Sequence, residues 1–418
     1  MLDYYTGIKM VETSDGKKRK FWFLLSIFIN LGFLGIFKYF NFFSESFAQA
    51  VAALGLKVNP WTLQVILPVG ISFYTFHGLS YVIDIYKDRI KPEYDFVNYS
   101  VFVSFFPLLV AGPIERATHL LPQIKKKRLF NYSLATQGIR QIIWGFFKKV
   151  VVADNCAFFV NSIFENPQGY SSLELWIGMF LFGFQIYCDF SGYSDIALGT
   201  AKLFGIELLR NFNFPYFSKD IAEFWRRWHI SLSTWFRDYL YIPLGGNKGS
   251  KSTRIRNTFI IFLVSGFWHG ANWTFIVWGA IHAFLFLPLL MLDRNRINLG
   301  DSKYGINDIF KILSTFLLVS FAWIFFRSEN LAEAFAYLHG MFNPEWVSLQ
   351  FFHKTSRHLL LSGITFIAIL FLLLIEWKNV KHNNSEIELS KMILFIVILM
   401  IFFMGSFKDQ ANFIYFQF

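Results

Sequence analysis

His229 lies in EFWRRWHISLSTWFRDYLYIPLGG (223–246), a span that also holds three tryptophans and three arginines. Imidazole is the side chain that takes and returns a proton near neutral pH, so the histidine is the group in this span whose type could do chemistry. On a helix, Trp225, His229, Ser233 and Arg237 recur at steps of four and share one face, and Trp228, Leu232, Trp235 and Tyr239 form a second, mostly aromatic face. An interfacial helix with an aromatic belt and snorkelling arginines satisfies the same pattern. Pro243 and the pair Gly245, Gly246 end it.

A second histidine, His269, sits in SGFWHGANWTFIVWGAIHAF (265–284) between Gly266 and Gly270, with the Asn272 amide close by. Either it hydrogen-bonds a neighbouring helix, or it serves as a neutral base with backbone or substrate approaching at the glycines. In QIYCDFSGYSDIALG (185–199) an apolar run gives way to Asp189, Ser191, Tyr193 and Asp195; two carboxylates there need partners, and the nearby arginines are candidates. The C-terminus, FKDQANFIYFQF, carries Tyr415 among aromatic residues and reads as a membrane-interface anchor. GGNKGSKST lacks phosphate-loop spacing, and neither HExxH nor GxSxG occurs. No metal site is expected.

The elements that position these groups are membrane helices. The 418 residues are 55% hydrophobic, 21% aromatic and only 16% charged, beyond the apolar range of soluble domains. Apolar runs at 21–39, 173–188, 259–268, 273–292, 309–326, 359–375 and 392–404 are expected spans or parts of spans, and 63–85, 97–111, 139–164 and 191–206 are more polar candidates. The expected fold is therefore all-α and polytopic, roughly ten spanning or re-entrant helices in a single domain over 1–418. The net charge of +11 is gathered in clusters such as 17–20, 125–128 and 148–149 beside apolar runs, a topology and lipid-contact signal rather than a nucleic-acid one. Cys156 and Cys188 are too few for a disulfide framework or thiolate zinc site. The first apolar run, interrupted by Asn30 and Lys38, reads as a retained span and not a cleaved signal.

Taken together, WRRWHISLSTWFRDYLYIPLGGN, SGFWHGANWTFIVWGAIH, YCDFSGYSDIA, LPVGISFYTFHGLSYVIDIY and LVAGPIER resemble the membrane-bound O-acyltransferase (MBOAT) family. Within it they are most similar to the bacterial branch of alginate O-acetylases and related peptidoglycan and polysaccharide O-acetyltransferases. The resemblance implies a ring of helices around a central funnel, with His269 catalytic and His229 its companion. It further implies that Trp225, Arg226, Arg237, Asp238, Asn272, Asp189 and Tyr193 line or order the substrate channel, and that Tyr415 is a candidate acyl acceptor. No bound cofactor is implied, only acetyl-CoA or an acyl-carrier thioester as donor. The implied partners are a periplasmic or extracellular SGNH-type acetyltransferase, a polysaccharide acceptor and membrane lipids, in a bacterial cytoplasmic (inner) membrane. Members of this branch usually carry further helices before the stretch matching LDYYTGIKM, so N-terminal helices are expected to be missing. D-alanyl transfer to teichoic acid is the alternative within the enzyme class. A proton-coupled transporter is the alternative outside it, and that would call for an internal repeat, which the sequence does not display.

Overall fold

The computed structural model describes residues 1–64, 68, 70–298, 304–344, 347–382, 387–407 and 413–414. Among the described residues the regular structure is helical throughout: α1 (Leu2–Glu12), α2 (Gly16–Leu34), α3 (Phe40–Ala53), α4 (Ile71–Tyr86), α5 (Phe96–Val103), α6 (Ala117–Lys125), α7 (Tyr132–Phe146), α8 (Asp154–Glu165), α9 (Ser172–Leu203), α10 (Ile221–Arg227), α11 (Ile230–Phe236), α12 (Lys251–His269), α13 (Trp273–Met291), α14 (Ile306–Arg327), α15 (Leu331–Met341), α16 (Gln350–His353), α17 (Ser356–Lys381) and α18 (Lys391–Met404). Wider π turns join α2 to α3 (Gly35–Tyr39) and α7 to α8 (Phe147–Ala153), and another, Arg237–Tyr241, follows α11.

Among the described residues, five helical runs are long and apolar enough to cross a membrane: Gly16–Ala53, Ser172–Leu203, Trp273–Met291, Asp308–Arg327 and Ser356–Lys381. The chain is thus a multi-pass membrane protein, and the expected spans are rearranged in detail. The runs at 173–188 and 191–206 fuse into α9, because the polar residues between them lie on a helix already wrapped by others and need no loop to reach water. The run at 97–111 is too short to span, since α5 stops at Val103 and only a 3-10 turn, Phe106–Leu108, follows.

α9 is the central pillar. Its start is fixed by a capping box between Ser171 and Glu174. Beyond that its placement rests on small residues. A Cβ at Gly199 would lie 2.4 Å from the Gly138 carbonyl oxygen of α7, and one at Gly138 would lie 2.5 Å from that of Gly199. Two turns away the same reciprocity joins Gly145 and Gly192, at 2.6 and 2.8 Å. Paired glycines seven residues apart on antiparallel helices let the two backbones touch.

That contact sets the buried charges. Lys148 Nζ lies 2.5 Å from Asp195 Oδ2 and donates to Ser191 Oγ at 2.9 Å, and Lys149 Nζ lies 2.8 Å from Asp189 Oδ1 and 2.7 Å from Asp154 Oδ1. The carboxylates of α9 are therefore partnered by lysines of the π turn and not by the arginines around His229. Lys148, only 3% exposed, works inside the protein body, which removes it from the surface topology clusters. Cys156 and Cys188 are free thiols, both buried.

Replacement of Gly145 by leucine is expected to drive α7 off α9 at a cost of about 1–3 kcal/mol or more. Gly363→Ala, where nothing lies within 4 Å of the added atom, is expected to be neutral. Thermal unfolding of the detergent-solubilised variants measures both.

Candidate functional site

The periodicity that placed Trp225, His229, Ser233 and Arg237 on one helical face does not survive folding. α10 is capped by Asp220, whose side chain accepts from Glu223 N at 2.7 Å, and it ends at Arg227. Trp228 is extended and His229 is left-handed, at φ 43° and ψ 52°, before α11 begins. Asn211 holds this break open. Its carbonyl accepts from Ile230 N at 2.9 Å, its Oδ1 accepts from Ser231 Oγ at 2.5 Å, and its Nδ2 donates to Ser194 Oγ of α9 at 3.1 Å. Asn213 N donates to the Arg227 carbonyl at 3.0 Å, and Ile114 N to Ser231 Oγ at 2.9 Å. A left-handed non-glycine residue costs about 1–2 kcal/mol, and histidine is among the residues that tolerate it best. The strain turns the imidazole inward, where it is 0% exposed.

His269 is the last residue of α12. The backbone next to it is pressed against α13: a Cβ at Gly270 would fall 2.1 Å from the Phe275 ring, and one at Gly266 would fall 2.2 Å from the Phe275 carbonyl oxygen. The carbonyls that end α12 need donors, and Lys38 Nζ supplies them, to Trp268 O at 2.7 Å and His269 O at 3.1 Å. Lys38 comes from the π turn after α2.

The two histidines come together. Their ring centroids are 6.3 Å apart with planes at 81°. Phe190 packs on His229 at 4.7 Å, Trp278 and Phe326 each pack on His269 at 5.2 Å, and Trp268 touches both, at 6.1 and 4.9 Å. Trp268 is itself fixed in a stack with Phe76 and Trp235. Among the described residues, neither nitrogen of His229 has a hydrogen-bond partner, nor does the indole nitrogen of Trp268 or Trp278, or Nε2 of His282. Buried polar groups are normally satisfied, so a concentration of unsatisfied ones around one spot points to a polar ligand there. Two imidazoles so held can take a proton from a hydroxyl and donate a hydrogen bond to developing negative charge.

Behind Phe190 lies a cavity of about 880 Å³. Tyr187 and Lys202 both line it, so it follows α9 for about 22 Å. Its wall carries Arg140, Lys148, Lys202 and Arg210 together with Asp195 and Glu376. Asn211 and Phe212 also line it, and Phe212 packs on Phe190 at 4.9 Å, so the ring of Phe212 and then that of Phe190 connect the cavity wall to His229.

Other expected residues support the site from a distance. Trp225 Nε1 donates to His282 Nδ1 at 3.3 Å, and its ring meets Trp278, so it stands one layer out from His269. Arg226 donates to the carbonyls of Asn295 and Asn298, at 2.9 and 3.1 Å. Asn272 caps α13 by accepting from Thr274 N at 3.0 Å and donates to the Glu329 carbonyl at 2.6 Å; its amide is spent on the loop and not on the imidazole. Arg237 is exposed and paired with Asp238 at 2.7 Å, and Asp238 in turn lies 3.3 Å from Arg116 Nη2, whose guanidinium covers the Tyr239 ring at 4.9 Å. Asp189 is bound by Lys149 and accepts from Ile414 N, and Tyr193 packs on Phe413. Tyr415 lies outside the described residues. Among those described, no group of three His, Cys, Asp or Glu side chains is placed to hold a metal ion. Asn211 and His282 were not singled out from the sequence, and Lys38 was noticed only as an interruption of the first apolar run, although a lysine there was itself a signal.

Comparison with known proteins gives one family and several relatives. The model of the membrane-bound O-acyltransferase family matches residues 86–327. A peptidoglycan O-acetyltransferase of Helicobacter pylori is 34% identical over all of this chain and 86% of that protein. A probable alginate O-acetylase of Pseudomonas syringae pv. tomato is 40% identical over 82% of this chain, which spans 64% of that relative's length. A teichoic acid D-alanyltransferase of Streptococcus thermophilus is 29% identical over 73% of this chain and 77% of that protein.

The left-handed backbone at His229 makes a specific demand. His229→Asn is expected to keep the fold, whereas His229→Val, β-branched at positive φ, is expected to lose at least about 1–2 kcal/mol more, read as a lower unfolding midpoint.

Proposed function

Because this chain belongs to the membrane-bound O-acyltransferase family, we propose that it carries an acetyl group from a cytoplasmic thioester toward O-acetylation of an extracytoplasmic polysaccharide. One observation carries the assignment of the site: two histidines 6.3 Å apart in a closed aromatic box, one of them buried in a strained conformation with no hydrogen-bond partner for either ring nitrogen among the described residues.

His269 acts as general base. It takes the proton of the accepting hydroxyl as that oxygen attacks the thioester carbonyl carbon; the C–S bond breaks as the ester C–O bond forms, and the departing thiolate recovers the proton from the imidazolium. His229 donates a hydrogen bond to the carbonyl oxygen as charge develops on it, in surroundings where such a bond is worth more than in water. Arg226 and Asn272, both engaged with loop carbonyls, brace the box and take no part in the oxyanion.

The charged cavity beneath Phe190 is the donor's place. Arg140, Lys202 and Arg210 suit the phosphate-bearing end of acetyl-CoA or of an acyl carrier's prosthetic arm, whose thioester would pass between the rings of Phe190 and Phe212. The acceptor on this side of the reaction is the Tyr415 hydroxyl. The resulting tyrosyl ester is passed to a separate SGNH-type transferase outside the cytoplasmic membrane, which acylates the glycan. The chain acts as one integral-membrane unit of the bacterial inner membrane.

The assay is the acid released by mild alkali from envelope and secreted polysaccharide of a deletion strain. The native protein is expected to restore acetate, and His269→Ala to restore it at least about 100-fold less well. Full acetate with His269→Ala would sink the base assignment. Release of D-alanine would transfer the proposal to teichoic-acid chemistry.

A further inference from the structure

The described residues after α18, 405–407 and 413–414, are tied to the protein body by backbone hydrogen bonds. After α18, the Met404 carbonyl accepts from Asn155 Nδ2 at 2.9 Å, and Ser406 N donates to the Val150 carbonyl at 2.9 Å. That carbonyl lies in the π turn 147–153, where widening by one residue breaks the regular helical ladder and leaves groups available to neighbours. Further on, Ile414 N donates to Asp189 Oδ2 at 2.7 Å, and Ile414 is 1% exposed. Phe413 packs on Tyr193 and against the aromatic cluster that contains Phe190 and Trp268, the rings that enclose the histidines.

A buried carboxylate in the middle of a membrane helix requires partners for both oxygens. At Asp189, Lys149 takes Oδ1, and Oδ2 faces a peptide N–H of the tail. A peptide N–H at that depth requires an acceptor in turn, and only one register of the tail brings the Ile414 N–H to this oxygen. A slip of one residue would carry that N–H away from the carboxylate and leave both groups without this partner.

We propose that Asp189, held by Lys149, is a positioning residue that fixes the register of the C-terminal tail by binding the Ile414 peptide N–H. The consequence for acyl transfer rests on Tyr415 being the acceptor, as proposed above; the docking itself does not. Lys149 and Asp154 complete the support, with Lys149 Nζ 2.7 Å from Asp154 Oδ1, so the peg is anchored at the junction of the π turn, α8 and α9.

The test separates docking from transfer in the full-length protein. Cysteine is placed at Ile414, where the backbone N–H is kept and the two native thiols, both 0% exposed, give little background. Maleimide labelling of Ile414→Cys is expected to be slow. It should stay slow with Asp189→Asn, which retains an acceptor oxygen, and rise about tenfold or more with the apolar pair Asp189→Leu, Lys149→Met, which removes acceptor and cation together. Unchanged labelling in the apolar pair, or equally fast labelling with Asp189→Asn, overturns the proposal. Ile414→Pro deletes the donor without disturbing the body and should lower acetate transfer about tenfold below Ile414→Ala, which keeps it. Equal transfer by those two, in a protein that Tyr415→Phe inactivates, also overturns the proposal. If Tyr415→Phe retains full transfer while labelling responds as expected, the docking stands and the tyrosine-acceptor reading falls.

Discussion

Two backbones in contact, α7 and α9, set the frame in which everything polar in this protein is held. Gly138 against Gly199 and Gly145 against Gly192 leave no room for a side chain on either helix, so each peptide plane locates the other. The π turn that follows α7 then emerges at a fixed height. Its two lysines reach two aspartates of α9 without crossing lipid, and each cation meets a carboxylate rather than hydrocarbon. With α9 pinned, Phe190 and Ser194 are pinned too, and through Asn211 they locate the break in which His229 sits.

The box around the histidines combines two kinds of constraint. Rings supply bulk and exclude water, which makes each remaining hydrogen bond stronger. Two partners of the backbone supply direction: the Asn211 carbonyl, which accepts from Ile230 N at the entry to α11, and the Lys38 ammonium, which donates to the carbonyls at the end of α12. Aromatic side chains have few rotamers, so an enclosure made from them loses little conformational entropy on folding and keeps its shape.

Much of this was legible. The all-helical multi-pass fold and the family could be taken from local composition and from long motifs, because membrane burial restricts which residues an apolar stretch can hold; the same motifs singled out two histidines as candidates, and the fold brings their rings to 6.3 Å. The details that escaped were set by distant parts of the chain. A spacing of four through Trp225, His229 and Ser233 reads as continuous helix, and only the segment 211–213, pairing with Arg227 and Ile230, converts it into a break. Asn272, three residues after His269, was expected to line or order the substrate channel, but a helix that starts at Trp273 needs a cap, and the Asn272 side chain supplies it. The partners of Asp189 and Asp195 depended on which helix came to lie against α9, a matter of glycine spacing that becomes meaningful only once the two helices are known to be neighbours.

The contact from Lys38 to the carbonyls of Trp268 and His269 spans 230 residues of sequence. During synthesis the first hydrophobic segment leaves the ribosome long before those carbonyls exist. At translation rates of about 5–20 residues per second, the ammonium waits on the order of tens of seconds for its partners. Over that interval the cation must be kept hydrated at the bilayer edge or sheltered by the insertion machinery, since a lone lysine at depth is disfavoured. The final seating of the Gly16–Ala53 run is accordingly a late event of biogenesis, completed only when α12 has been inserted.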